Sequence, residues 1–507
     1  MSLTENTQVQ GGAEEHILQK YGYQQEFRRE LKRFASFAVG FSFISITTGI
    51  FSTYGAVLNW GGPLGIWTWP FVVLGQLFVS LVFAALASRI PLAGYSYQWA
   101  SRLLNAKVGW LIGWVSFTFL TVVIVSVDYS IAQVVLPSLF HYMETPQNAW
   151  LATAIIILLQ MLLVMFSTYW STRINNAAVG TEVVGIVGLA VLLIVVGAVR
   201  GLLHPDHLFT MGAIASNGYF NPGALFATGP FMLSFLLGAY TIVGFESAAN
   251  LAEETQDAHR VVPFAMWSSV VLSGIVGFAF LIALNLASGD LKALAGSATP
   301  VADIVTRVLG TVVGDIFLVL VTFSIFACGL VIFMTATRLT WAMSRDERFP
   351  GYQVLREVNR RTGTPMATTI LQGVICELVL AVFAIMGIIA PQINTLTNLF
   401  GAATLLPAII YLATVIFYII VRKRLPQVAG FNLGVFEWPI VILALAWLLW
   451  ELAIFRDAQF AAPWVYTLVM VGIGVLYFIY MLVARPRALD TIPLEGTEPV
   501  VPNEGVG

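Results

Sequence analysis

Long apolar stretches alternate with short polar breaks along almost the whole chain. Twelve runs reach the length of about 20 residues that carries a helix across a hydrocarbon core. They cover residues 34–58, 66–86, 108–135, 150–169, 177–199, 226–250, 264–287, 312–337, 366–389, 396–421, 436–455 and 464–483. The pattern predicts an all-α integral membrane protein with twelve transmembrane helices. Around the membrane domain (34–483) it leaves a polar arm (1–33) and a short tail (484–507). The arm up to about Tyr21 and the Pro- and Glu-containing tail after Arg487 are expected to be mobile and disordered. No apolar stretch precedes the first run, so that run is expected to serve as the insertion signal.

Two runs are interrupted by residues that serve a lipid anchor badly. The first carries Ser42, Ser45, Thr47, Thr48 and Gly49, and the sixth carries Gly238, Thr241, Gly244 and Glu246. Each glycine weakens a helix by about 1 kcal/mol. A lone charge such as Glu246 would cost roughly 3 kcal/mol at mid-bilayer. The two interrupted runs are five helices apart, so they cross the membrane in opposite directions. That is the pattern of two inverted five-helix repeats, about 34–199 and 226–421, with two helices (436–483) appended. Unwound backbone N–H groups and a half-helix N-terminus favour a carboxylate or carbonyl oxygen, whereas unwound carbonyls favour a cation. The hydroxyls of Ser45, Thr47 and Thr48 add to the first break, and Thr241 to the second.

Charge adds direction. The chain is 58% hydrophobic and 10% charged, outside any soluble class. A net charge of −2 gives no footing for nucleic acid. With the N-terminus in the cytoplasm, inner segments hold 21 Lys and Arg and outer segments 4. This orientation puts both termini inside a multi-pass protein of the cell membrane. No run contains Lys or Arg, yet Asp128, Glu182, Glu246 and Glu377 stand within them. Buried carboxylates without a fixed base take a proton or recruit a mobile cation. The coupling ion is therefore expected to be a proton, or Na⁺, and the substrate an amine. Glu246 adjoins the sixth-run break, and Glu182 lies two turns into the fifth run. Asp128, beside Tyr129, is placed to meet a substrate ammonium, and Glu377 reads as a helix–helix hydrogen-bonding group. Tyr240 is placed to cover a ligand, since aromatic faces attract ammonium groups. Phe326 and Phe333 are weaker candidates for the same work.

Cys328 and Cys376 lie in apolar runs and suggest neither a disulfide nor a metal cluster. All five histidines lie outside the runs. His204 and His207 share a short loop that could take a surface metal, but it is read as a solvated loop. No metal or cofactor is expected, and no span carries a nucleophile–base pair, so an enzyme is not expected either.

The motifs resemble those of the amino acid–polyamine–organocation permeases, and among them the amino acid/choline transporter group that includes GABA and choline permeases. Ser45-Ile-Thr-Thr-Gly-Ile-Phe51 and Asn59-Trp-Gly-Gly-Pro63 resemble the family's first helix and following loop. Pro91-Leu-Ala-Gly-Tyr-Ser-Tyr-Gln-Trp99 resembles the segment after its second helix, and Asn175-Asn176 the start of its fifth. Gly244-Phe-Glu-Ser247 and Ala252-Glu-Glu-Thr255, followed by Pro263, resemble its sixth-helix signature. The resemblance implies a LeuT-type fold and uptake or exchange of an amine-bearing solute. It places the substrate carboxylate at Thr47, Thr48 and Gly49, the closing aromatic at Tyr240 and proton coupling at Glu246. It places the intracellular gate at Tyr97 or Trp99. Some proton-coupled members carry a lysine where this chain has Glu182; a carboxylate must recruit a cation there instead.

The reading that follows is a permease for an amino acid, GABA, a polyamine or a choline-like solute, working by alternating access and coupled to a proton. Exchange without ion coupling is the alternative, and a permease-fold nutrient sensor a more distant one.

Overall fold

The computed structural model describes residues 18, 19, 22–140, 145–166, 168–214, 217–221, 229–389, 395–425 and 430–490. Most of the arm and tail expected to be mobile lies outside these residues, as do His16 and His141. Among the described residues, eleven helices are long and apolar enough to cross a membrane, and the sixth crossing is a shorter apolar helix, Pro230–Thr241. The twelve-helix membrane fold is therefore present, with its sixth member divided.

The first crossing is also divided, into α1 (Arg33–Ile44) and α2 (Ile46–Trp60). There follow α3 (Trp69–Arg89), a short α4 (Tyr95–Leu103), α5 (Ala106–Ser130), α6 (Pro146–Phe166) and α7 (Thr168–Val199). The sixth crossing contributes α8 (Phe235–Thr241) and a single turn, α9 (Ser247–Asn250). The second half continues with α10 (Ala258–Ala287), α11 (Thr311–Arg345), α12 (Met366–Ile389) and α13 (Thr395–Val421). It ends with α14 (Glu437–Ile454) and α15 (Ala461–Ala484). α11 runs two turns past the predicted span, so Arg338 and Arg345 are helical residues rather than loop ones.

Burial orders these helices from centre to rim. In the first crossing 89% of the most apolar window is buried in protein, against 17% in α15. The small and polar side chains of α1 and α2 would leave unmet groups in lipid, so they go to the centre, where neighbours satisfy them. The apolar α15 can face lipid and does. Helix α7 shows the sorting within one element. Val184, Val187, Val191 and Val195 are exposed, whereas Val179, Glu182, Ile186, Leu189 and Leu193 are buried. Both sets step by three or four residues, so one stripe meets lipid and the opposite stripe carries Glu182 inward.

Close packing is set by a few glycines. A Cβ on Gly49 would fall 2.0 Å from Thr241 Oγ1, and one on Gly244 would fall 1.7 Å from the Phe43 ring. Each broken crossing thus presents a glycine to the other, and the two cross at backbone distance.

Candidate functional site

The first break is a single residue. Ser45 adopts φ 35° and ψ 94°, a left-handed excursion that strains a non-glycine residue and stops α1. Its hydroxyl caps α2, accepting from Thr48 N at 3.2 Å and from Thr48 Oγ1 at 2.7 Å. The break was expected around Thr47–Gly49; these residues instead form the first turn of α2, because the serine both ends one helix and caps the next.

A freshly started helix has free N–H donors. Here one is taken by Glu182 of α7, whose Oε1 accepts from Thr47 N at 3.0 Å, Thr47 Oγ1 at 2.6 Å and Ser45 Oγ at 3.2 Å. The carboxylate sits where the partial positive charge of α2 is greatest. Cys328 Sγ of α11 lies 3.5 Å from Phe43 O, on the other side of the same break.

The second break spans Ile242–Glu246, between α8 and α9. Gly244 takes φ 84°, which only a glycine adopts without cost. Glu246 is 3% exposed, turned into protein rather than lipid. Tyr411 of α13 donates to Glu246 Oε2 at 2.6 Å and accepts from Gly244 N at 2.9 Å. One phenol therefore ties the carboxylate to the opened backbone. Tyr240 meets Ser126 Oγ of α5 at 3.0 Å and packs its ring 4.5 Å from that of Phe400. A cavity of about 320 Å³ lined by Phe51, Asn59, Trp60, Leu236 and Phe400 leads toward this pair from the face opposite the termini.

The remaining expected residues divide. Asp128 is buried but turned toward Gly329 of α11, accepting from Gln160 Nε2 of α6 at 2.8 Å. Glu377, expected to bond to a neighbouring helix, has no hydrogen bond to a described residue. It lies in an apolar groove with Ile157, Met161 and Val374, because its stripe of α12 faces the rim. Trp99 donates to Ile90 O and packs against Phe83 and Tyr95, a core position.

Tyr97 belongs to a second polar centre, on the face of the termini. Asp346 accepts from Tyr97 Oη at 2.6 Å, Tyr23 Oη at 2.5 Å and Gln98 Nε2 at 3.2 Å, with Arg348 at 3.8 Å. Burial alone would raise the Asp346 carboxyl; Arg348, Arg102 and Arg345 outweigh it and hold it below the usual range. Burial, and then the Asp346 charge, push the Tyr23 phenol up to about 12, so it stays a donor. Glu253 and Glu254 of the sixth-helix signature pair with Arg345 at 2.9 Å and Arg338 at 2.7 Å. The arm crosses over these pairs: Leu31 N donates to Glu254 O, Gln256 N to Leu31 O, and Phe27 packs on Trp341. A recess of about 930 Å³ at the terminal face is lined by Tyr23, Arg345, Asp346 and Arg348, and the buried Glu253–Arg345 and Glu254–Arg338 pairs lie on that side of the breaks, whereas the 320 Å³ cavity reaches Phe400 from the opposite face.

Sequence reasoning missed several partners. Ser126, Phe400 and Tyr411 are ordinary residues of their runs, and only the fold brings them to the breaks. Asp315, Glu437 and Glu451 also lie within the apolar runs, and Glu451 stands well inside the eleventh, where its burial is the readable signal. It is 1% exposed and lies 3.3 Å from Gln76 Nε2 of α3.

Residues 31–486 match the model of a family described as amino acid permease. The chain is 26% identical over 450 residues to an amino-acid permease BAT1 homolog of Oryza sativa subsp. japonica, covering 84% of each chain. It is 25% identical over 361 residues to the GABA-specific permease of Saccharomyces cerevisiae, covering 69% of this chain and 62% of that one. To a putative polyamine transporter of Candida albicans it is 25% identical over 388 residues, covering 73% and 68%. A match over nearly all of the membrane domain, on a twelve-helix fold broken at its first and sixth crossings, shows that the chain belongs to the amino acid permease family of the amino acid–polyamine–organocation superfamily, whose members are transporters and not enzymes.

Proposed function

We propose that this permease is a secondary active transporter that carries an amino acid or related small amine across the cell membrane by alternating access, coupled to a proton. The arm, the tail and the Asp346 centre lie on the cytoplasmic side in this reading, as the 21-to-4 distribution of Lys and Arg favours. The inverted repeats are 34–199 and 226–421, and 436–483 is an addition to them. Ser45, Thr47, Thr48, Gly49, Tyr240, Thr241 and Gly244 form the substrate site, Asp128 stands behind it, and Glu246 and Glu182 couple. Tyr97, rather than Trp99, carries the inner gate.

The observation that carries this is that each helix break holds a buried carboxylate with no Lys or Arg bonded to it among the described residues. Such a group is neutral only while something mobile accompanies it. Glu182 adds a preference among substrates. It already takes the Thr47 N–H, so a substrate carboxylate competes with it there, whereas a substrate ammonium is attracted to it. That favours solutes without a carboxylate, polyamine or choline-like, over α-amino acids and GABA, in keeping with the name of one relative.

Reconstitution tests the proposal. Proteoliposomes with an imposed pH gradient, acidic outside, should accumulate radiolabelled substrate above equilibrium. Accumulation indifferent to the gradient would remove the proton and leave amine exchange, the second reading. A thermal-shift screen of amines and amino acids, with and without Na⁺, identifies the substrate to load.

A further inference from the structure

We propose that His204, Asp206 and His207 form a binding site for a Zn²⁺-class metal ion, and that the bound ion braces the outer half of the broken first crossing.

The loop His204-Pro-Asp-His207 follows α7 on the face opposite the termini, and it is not simply solvated. One donor atom from each of His204, Asp206 and His207 lies within 4.8 Å of the others. Tetrahedral ligands at about 2.05 Å from zinc are about 3.3 Å apart, so the set must close by about 1.5 Å. The His207–Asp206 pair is already at 3.8 Å, so the closing falls mainly to the half-buried His204, with Asp206, its side chain 76% exposed, free to follow. The two imidazole rings are stacked, 4.7 Å apart and 15° from parallel, so their in-plane lone pairs point side by side and the half-buried His204 must turn for both to meet one ion. Two imidazoles and one carboxylate match zinc, copper or nickel better than magnesium or calcium.

The support behind His207 is what a ligand needs. Its Nδ1 lies 2.7 Å from Ser288 Oγ. The Ser288 hydroxyl proton goes to Asn285 O at 2.7 Å, so toward His207 this oxygen accepts. Nδ1 therefore carries the proton, and Nε2 keeps its lone pair, 3.8 Å from Asp206 Oδ2. A metal-binding histidine is held by this kind of second hydrogen bond.

The same residues reach the transport path. Asn285 Nδ2 donates to His207 O at 3.3 Å and to Pro63 O at 2.8 Å, and Asn285 Oδ1 accepts from Tyr54 Oη of α2 at 2.7 Å. Trp67 Nε1 donates to Leu208 O at 2.8 Å. An ion that fixes the loop stiffens the support on which α2 moves. This bracing rests on the alternating-access reading; the binding itself does not.

The test uses untagged full-length protein stripped of metal. Zn²⁺ titration against a chromophoric chelator should give one tight equivalent per chain. Co²⁺ should give visible absorption bands that Zn²⁺ removes. His204→Ala and His207→Ala should each weaken binding about 100-fold, and Ser288→Ala about tenfold, while His259→Ala leaves it unchanged. His204 is only half-buried, so its variant stays informative if His207→Ala misfolds. Wild-type affinity no greater than that of His204→Ala overturns the site. In proteoliposomes saturating Zn²⁺ should slow uptake in the wild type but not in His204→Ala. Tight binding with unchanged uptake overturns the bracing alone, and leaves the transport reading standing.

Discussion

Tyr411 carries more at the second break than any other single side chain. Its one hydroxyl serves both Glu246 Oε2 and Gly244 N, so Tyr411→Phe leaves a buried acceptor and a buried donor unmet at once. Each unmet group costs about 1–3 kcal/mol. The variant should melt several degrees below the wild type in a detergent thermal-shift assay, and Glu246→Gln should add little on top, since both disturb one network. Glu246→Gln itself fixes the group as neutral. It should abolish accumulation driven by a pH gradient, by about tenfold or more, an effect of about 1.4 kcal/mol. Counterflow of labelled for unlabelled substrate should survive in the same vesicles. Full gradient-driven accumulation in this variant would remove Glu246 from coupling. At the first break the chemistry differs, because Glu182 is already held by three donors of the α2 start. Glu182→Gln keeps an acceptor for Thr47 N and should fold; Glu182→Leu removes it and should melt lower than Glu182→Gln.

Among the elements, the arm and the end of α11 are where protonation can be argued with a sign. The folded Asp346 carboxyl is held below its ordinary range. Its contribution is therefore fully present above that range and is lost only as pH falls through the lowered value. The clamp of Tyr23, Tyr97 and Arg348 on Asp346 should stay shut across neutral pH. Amide exchange of residues 22–32, corrected for intrinsic rate, should be equally slow at about pH 6 and about pH 8, and much faster in Asp346→Asn. Any pH dependence of transport in that interval then belongs to the breaks. These elements also show what a sequence can disclose. Twelve runs and two interruptions were visible, since lipid demands length and penalises polar residues wherever they lack partners. The inward turn of Glu182 was implicit in the three-and-four spacing of the valines around it. The stop at Ser45 was not, because a serine excursion to positive φ has no glycine to announce it. Nor could Tyr411, Ser126 or Phe400 be found, since they come to the site from α5 and α13, far along the chain from the breaks, and none is unusual where it stands. The pairing of Glu253 and Glu254 with arginines of α11 was hidden similarly, as the helix runs beyond its apolar span.

For the molecule as a whole, the proposed alternating access would make this arrangement, ion-paired on the terminal side and with a cavity on the opposite face, one end of a two-state cycle. In that proposal the other end opens the Asp346 centre and closes the cavity over Tyr240 and Phe400. Two small residues report the two faces. Ala56 lines the cavity, and Ala93 is 1% exposed, its N–H donating to Glu253 Oε1 at 3.0 Å. Cys328 and Cys376 are both buried, so an introduced cysteine should react with a maleimide against little background. Without substrate, Ala56→Cys should label quickly and Ala93→Cys slowly. Removing the charge in Asp346→Asn weakens only the state that is closed at the termini, so both rates should move, in opposite directions. A shift of about 1.4 kcal/mol changes the ratio of the two states tenfold, and the larger change appears at whichever site starts in the minor state. If Ala93→Cys became reactive while Ala56→Cys labelled as before, the two faces would be opening independently. A single rocking motion around the broken helices would then be wrong, whatever the substrate.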